Sequence, residues 1–232
     1  MTLAFFDLDR TLLNVNSASL WVQLEWRNGR LSTGQLLRLS LGLLRYHFGL
    51  ANLEKDLRLA VSRLKGESDG HVRAQVKAFY QNRLRHHYRP GGLSALHRHR
   101  QRGDAIVLLT SSPQLLAQLV ADDLDFQAYL CTQLEIDDDG HFTGQIIEPL
   151  CFGAGKVELA TTYARSQHIA LTDCTFYTDS ITDMPMLQAV GTPIVVNPDP
   201  RLRRAARAED WPIVDWGIPD GPKRTRQTTR RN

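Results

Sequence analysis

The sequence predicts an α/β protein, a parallel sheet flanked by helices with an inserted all-helical cap. Three observations predict it. Short apolar runs without polar alternation recur along the chain, as suits strands covered on both faces. Helical patterns separate these runs. One long stretch, residues 17–88, contains helical patterns and no convincing strand.

In chain order, Leu3-Ala4-Phe5-Phe6 reads as a buried strand, and Asp7 and Asp9 follow it directly. In an extended strand their side chains would point to the same side, with Arg10 turned away from them. The helical stretch comes next, and Trp21 and Trp26 in its first helix read as packing residues. Residues 35–50, QLLRLSLGLLRYHFGL, are apolar nearly all round a helix, with Arg38 and Arg45 the only full charges. The run is shorter than the roughly 20 residues of a spanning helix. It reads as a buried cap helix, with a surface-seeking helix that meets a membrane or an acyl chain as the alternative.

The chain returns to the core at Arg89-Pro90-Gly91-Gly92. His86, His87, His97 and His99 lie among arginines and read as facing solvent. Residues 105–109, after the breaker Gly103, form a second strand that ends in Thr110, Ser111 and Ser112. A helix over 113–123 follows, with Pro113 in the first turn, where proline is favoured. Residues 136–146 read as a hairpin turning at Asp139-Gly140, its acids solvent-facing turn residues. A helix over 155–167 begins at Gly155-Lys156. Strands at 175–178 and 193–196 and helices at 184–189 and 201–209 complete the pattern. The expected division is a core of residues 1–16 and 89–218, a cap of 17–88, and a basic tail of 219–232.

Composition sets the context. An apolar content of 42% and a charged content of 23% in 232 residues are ordinary for a soluble globular protein. Cys131, Cys151 and Cys174 are widely spaced and odd in number, so they suggest neither a disulfide framework nor a metal cluster. No leader pattern precedes the first candidate site residue. A cytoplasmic protein is expected, with peripheral attachment at the inner face of a membrane as the alternative. The net charge of +3 is smaller than the five basic charges of the tail, Lys223, Arg224, Arg226, Arg230 and Arg231, so the rest of the chain is slightly acidic. The tail reads as a disordered, solubilising end. A weak electrostatic tether to anionic lipid or nucleic acid is the sharper alternative.

The chemistry lies at the strand ends. Asp7 and Asp9 follow one strand, Asp179 ends another with Asp183 four residues on, Thr110 ends a third, and Lys156 opens a helix. In a parallel sheet these ends share one rim, where α/β folds place their sites. Clustered carboxylates repel unless a cation or a shared proton intervenes. Asp7 and Asp179 offer hard oxygen ligands for Mg²⁺. Thr110 and helix-start N–H groups suit phosphate oxygens, and Lys156 adds a fixed positive charge. Together they make a template for phosphoryl transfer.

This set resembles the haloacid dehalogenase superfamily, whose four motifs occur in order as DLDRT (Asp7 to Thr11), Thr110, Gly155-Lys156 and TDSITD (Thr178 to Asp183), over residues 3 to about 197. The resemblance implies a Rossmann-like core and a Mg²⁺-dependent phosphatase acting on phosphate monoesters. By it, Asp7 is the nucleophile that forms an aspartyl-phosphate, and Asp9 is the general acid and then the base for water. Mg²⁺ is held by Asp7, the backbone carbonyl of Asp9, and Asp179. Asp183 supports the metal's water shell or orients Lys156, while Thr110 and Lys156 bind the phosphoryl group, with Ser111 beside them.

The cap position and the last motif look most like the subfamily IB branch that contains phosphoserine phosphatase. That enzyme places a glutamate nine residues after its nucleophile to help bind the substrate ammonium. Asn16 stands there in this chain, and an amide cannot neutralise an ammonium. Thr182 replaces the asparagine usual before the last aspartate, which changes the substrate contacts there. A small-metabolite phosphate or a lipid phosphate is the expected substrate, weak membrane-surface association is an expected partner mode, and no nucleic-acid partner is expected. Two alternatives use the same chain: a phosphotransferase or phosphomutase, and a membrane-associated binding protein on an inactive phosphatase fold. No nucleophile or metal ligand is missing, which weighs against the latter.

Overall fold

The computed structural model describes residues 2–29 and 53–219. The apolar segment 35–50 and the tail beyond residue 219 lie outside the described residues. One sheet contains seven strands: β1 (Leu3–Phe6), β2 (Ala105–Pro113), β3 (Ala128–Ile136), β4 (Phe142–Ile147), β5 (Thr175–Thr178), β6 (Thr192–Val196) and β7 (Ile213–Val214). Their spatial order is β4-β3-β2-β1-β5-β6-β7. All pairings are parallel except that of β3 with β4. The expected four strands and hairpin therefore lacked β7 and most of β3. The hairpin at Asp139-Gly140 is present and joins β3 to β4, but β3 itself begins eight residues before the expected hairpin.

The helices are α1 (Ser17–Arg27), α2 (Leu53–Ser62), α3 (Asp69–Asn82), α4 (Pro90–Gln101), α5 (Gln114–Asp123), α6 (Ala154–Ser166), α7 (Met184–Ala189) and α8 (Pro200–Ala208). The strands explain their placement. All four residues of β1 are fully buried. With a side-chain period of two, Ala4 and Phe6 join a core with Ala95 and Leu96 of α4 and Ala117 and Val120 of α5. Leu3 and Phe5 join a second core with Ala160 of α6, Leu187 of α7 and Leu202 of α8. Both faces are thus covered, which is why the strand needs no polar residue. The described part of the segment between β1 and β2 is helical. A third cluster of Val61, Val72, Leu115, Leu134 and Phe142 fastens α2 and α3 to α5 and the β3–β4 hairpin.

Several local expectations change. Pro113 is extended, with φ −64° and ψ 156°, and caps α5 from outside. It pairs with Thr132 of β3 after a register shift, so the strand claims it before the helix can. Trp21 packs edge-on to Phe79 at 5.1 Å, but Trp26, near the end of α1, is 42% exposed. His86 and His97 are exposed and His87 is half-buried.

His99 is buried, contrary to the expectation from its arginine-rich surroundings. Its Nδ1 lies 2.9 Å from Asp104 Oδ2 and its Nε2 lies 2.9 Å from Tyr177 Oη. Burial lowers its pKa against the raising effect of Asp104. Tyr177 stacks on Phe6 at 4.6 Å and 13°, and these two residues are register partners in β5 and β1. Such a pair contributes about 0.5–1.5 kcal/mol beyond its buried area. It fixes the relative height of the two strands at the point where both run into acidic residues.

Candidate active site

β1 is central, and the chain order reverses beside it: β2 to β4 build outward on one side, β5 to β7 on the other. Such a switch point opens a crevice at the carboxyl ends of the strands. Asp7 follows β1 and is pinned there by its N–H, which donates to Tyr177 O at 3.0 Å. Asp179 follows β5. The sequence-predicted residues Asp7, Asp9, Thr110, Lys156, Asp179 and Asp183, together with Asn16, Ser111 and Thr182, all line one cavity of about 440 Å³.

The two first aspartates do not share an extended strand. After Asp7 the chain makes a five-residue turn, Leu8–Leu12, in which Asp9 is extended (φ −68°, ψ 126°) and Arg10 is left-handed (φ 60°). The turn brings both carboxylates to the cavity, and it also places Arg10 on the cavity wall, where alternation along a strand would have turned it away.

Lys156, fully enclosed near the start of α6, is the hub. Its Nζ lies 2.8 Å from Asp7 Oδ1 and 2.8 Å from Asp183 Oδ2, and 5.6 Å from the centre of the Phe176 ring. Burial disfavours its charge, but Asp183 and Asp7 outweigh this and raise its pKa. Thr178 Oγ1 donates to Asp183 Oδ2 at 2.6 Å, so Asp183 holds Lys156 in place. The close backbone packing behind Lys156 explains Gly155, where a Cβ would come 1.9 Å from the carbonyl oxygen of Leu150.

Asp7 Oδ2 and Asp179 Oδ1 each lie 3.2 Å from Thr11 Oγ1. That hydroxyl has one proton to offer two carboxylates. Burial, opposed by Lys156 and reinforced by Asp183, pushes the Asp7 pKa up to about 7. Burial, then Asp7 and Asp183, raise that of Asp179 well above the ordinary range, with Arg10 offsetting part of the effect. Two buried carboxylates with too few protons and cations between them suit a hard divalent ion that takes few protein ligands and keeps its waters, as Mg²⁺ does. Among the described residues, no three His, Cys, Asp or Glu side chains form a ready metal cluster. The two carboxylates and a backbone carbonyl are the donors at hand.

Asp9 is held differently. Its Oδ1 accepts from Ser17 N at 2.6 Å, and its Oδ2 accepts from Ser17 Oγ at 3.0 Å and Ser112 Oγ at 3.4 Å. Burial raises its pKa, and these hydrogen bonds pull it back. Three expected substrate contacts are engaged within the protein. Asn16 Oδ1 caps α1 by accepting from Ser19 N and Ser19 Oγ, both at 2.9 Å. Ser111 Oγ donates to Cys151 O at 2.8 Å, and the hydroxyls of Thr182 and Ser180 lie 2.9 Å apart. Thr110 Oγ1 accepts from Ser112 N at 3.1 Å. Sequence reasoning missed Thr11, Ser17, Ser112 and Thr178 as positioning groups. Thr11, Ser17 and Thr178 are hydroxyl residues within eight positions of an acid in the motifs, and Ser112 stands two residues after Thr110, which is the one signal they offered.

Fold and site together define a hydrolase of the α/β class, and the chain belongs to the haloacid dehalogenase-like hydrolase family, whose profile it matches over residues 4–188. Its relatives include the inhibition of morphological differentiation protein of Streptomyces azureus, 31% identical over 94% of this chain and 79% of that one. They also include a phosphoserine phosphatase of Mycobacterium tuberculosis, 32% identical over 93% and 71%. Among solved structures, a protein of unknown function from Bordetella pertussis superposes with a TM-score of 0.83 at 29% identity, covering 94% of this chain and all of that one. Among the described residues no helix is long and apolar enough to cross a membrane.

Proposed function

We propose that this hydrolase acts on phosphoric monoesters through an aspartyl-phosphate on Asp7. The observation that carries the reading is the division of labour between Asp7 and Asp9. Asp7 lines the cavity and is held between Lys156 and Thr11. Asp9 is removed from that network and held by Ser17 and Ser112. One carboxylate is thus positioned to attack phosphorus, and the other to give a proton to the leaving oxygen and later take one from water. The raised pKa of Asp9 suits a group that must hold a proton.

Lys156 orients Asp7 and opposes the burial that favours its protonated form, and Asp183 keeps Lys156 in place. Thr110 and Ser111 line the same cavity from β2 and would bind the transferring group. Asp7, the carbonyl of Asp9 and Asp179 would hold Mg²⁺, which would supply charge neutralisation at the phosphoryl oxygens. The engaged amide of Asn16 argues against an ammonium-bearing substrate such as phosphoserine, although one relative carries that name. A cytoplasmic site of action is part of the same proposal. The test is turnover of p-nitrophenyl phosphate with Mg²⁺ by the wild-type chain and by Asp7→Asn. Release of inorganic phosphate by the first and not the second is expected, and equal rates overturn the reading. Transfer of the phosphoryl group to an added alcohol in place of its release as inorganic phosphate identifies a phosphotransferase.

A further inference from the structure

We infer that the cavity takes a phosphate monoester whose alcohol is a single apolar group without an ammonium, its hydrocarbon lying between the insert helices and α5. The inference rests on the phosphatase reading above and adds the substrate class. The cavity has two chemically distinct ends. One holds the carboxylates and Lys156. The other is walled by Leu57 and Val61 of α2, Val72, Val76 and Phe79 of α3, and Leu115 of α5. Among the described residues, no charged side chain belongs to that wall.

Each carboxylate that lines the cavity already has a partner within the protein. Asp7 and Asp183 share Lys156, Asp9 is held by Ser17 and Ser112, and Asp179 receives Thr11. Asp199 caps α8, with Oδ1 accepting from Arg201 N and Leu202 N and Oδ2 accepting from Ile181 N. An ammonium lying along that wall would lose its water and meet no carboxylate among the wall's described residues, at a cost no contact there offsets. A methylene, by contrast, gains on leaving water for this wall. The volume of about 440 Å³ lies in the range of small-ligand sites, which matches one hydrocarbon arm in preference to a two-chain lipid.

The experiment titrates the full-length Asp7→Asn chain, with Mg²⁺, by calorimetry against butyl, hexyl and octyl phosphate and against phosphoserine. It is run beside wild-type turnover of the same esters and of phosphatidate in vesicles. Affinity and kcat/KM are expected to rise roughly fourfold per methylene until the wall is covered, with phosphoserine at least tenfold below hexyl phosphate. Val76→Asn is expected to flatten that rise. A flat chain-length series, a preference for phosphoserine, or turnover confined to phosphatidate overturns the inference while the phosphatase reading stands. Binding that rises with chain length, without turnover of any ester by the wild type, upholds the ligand class and overturns the phosphatase reading.

Discussion

Lys156 Nζ lies 2.8 Å from Asp7 Oδ1, and both side chains are buried. The same ammonium also serves Asp183. Removing it would leave two carboxylates facing each other without a cation, and breaking a buried pair from one side costs about 3–5 kcal/mol. Lys156→Met is expected to lose that much in urea unfolding and to lose phosphatase activity with it. A loss well under 1 kcal/mol would show that the carboxylates have other compensation.

The carboxylate cluster sets a pH dependence for the metal-free chain. Asp7 titrates at 3.8 when unperturbed and at about 7 when folded. Between these values the folded chain holds more protons than the unfolded one, so stability falls as pH rises. The thermal midpoint in EDTA is expected to drop between about pH 4 and pH 7. Mg²⁺ held by the ionised carboxylates would restore the midpoint most at the upper end. A midpoint in EDTA that climbs steadily through this window contradicts the burial argument.

Ser17 gives Asp9 two hydrogen bonds that favour its ionised form. The backbone donor survives Ser17→Ala, but the hydroxyl is lost, so the Asp9 pKa should rise. For a general acid this moves the alkaline limb of the pH–kcat profile upward. An unmoved or lowered limb would take Asp9 out of that role.

Gly155→Ala would push a methyl group to within 1.9 Å of the Leu150 carbonyl oxygen, and backbone has to shift. Overpacking of this kind costs about 1–3 kcal/mol. Because Lys156 is the next residue, kcat should fall far more than the loss of folded protein explains. A variant with normal kcat and a lowered thermal midpoint would separate the packing from the chemistry.

Much of this was legible in the sequence for a local reason. Leu3 to Phe6 and Thr175 to Thr178 are short runs that end in acids, and a parallel sheet brings such ends to one rim whatever lies between. β3 was not legible because Ala128 to Ile136 mixes Thr132, Gln133 and Glu135 with apolar residues, and its burial alternates irregularly. β7 is two residues long, too short for any pattern. His99 looked solvated because its neighbours in sequence are polar. Its partners Asp104 and Tyr177 are supplied by the fold. The hydroxyls of Ser112 and Thr11 escaped for the same reason, since their acceptors Asp9 and Asp179 lie 103 and 168 positions away.

The central position of β1 has a consequence for the chain as it is made. Asp7 leaves the ribosome 149 residues ahead of the lysine that neutralises it. The first strand has no β2 beside it until residue 113 is made and no β5 until residue 178, and the long loops that bring them must close late and slowly. A nascent chain therefore carries an exposed greasy strand and no working centre for most of its synthesis, the condition under which chaperone protection matters most.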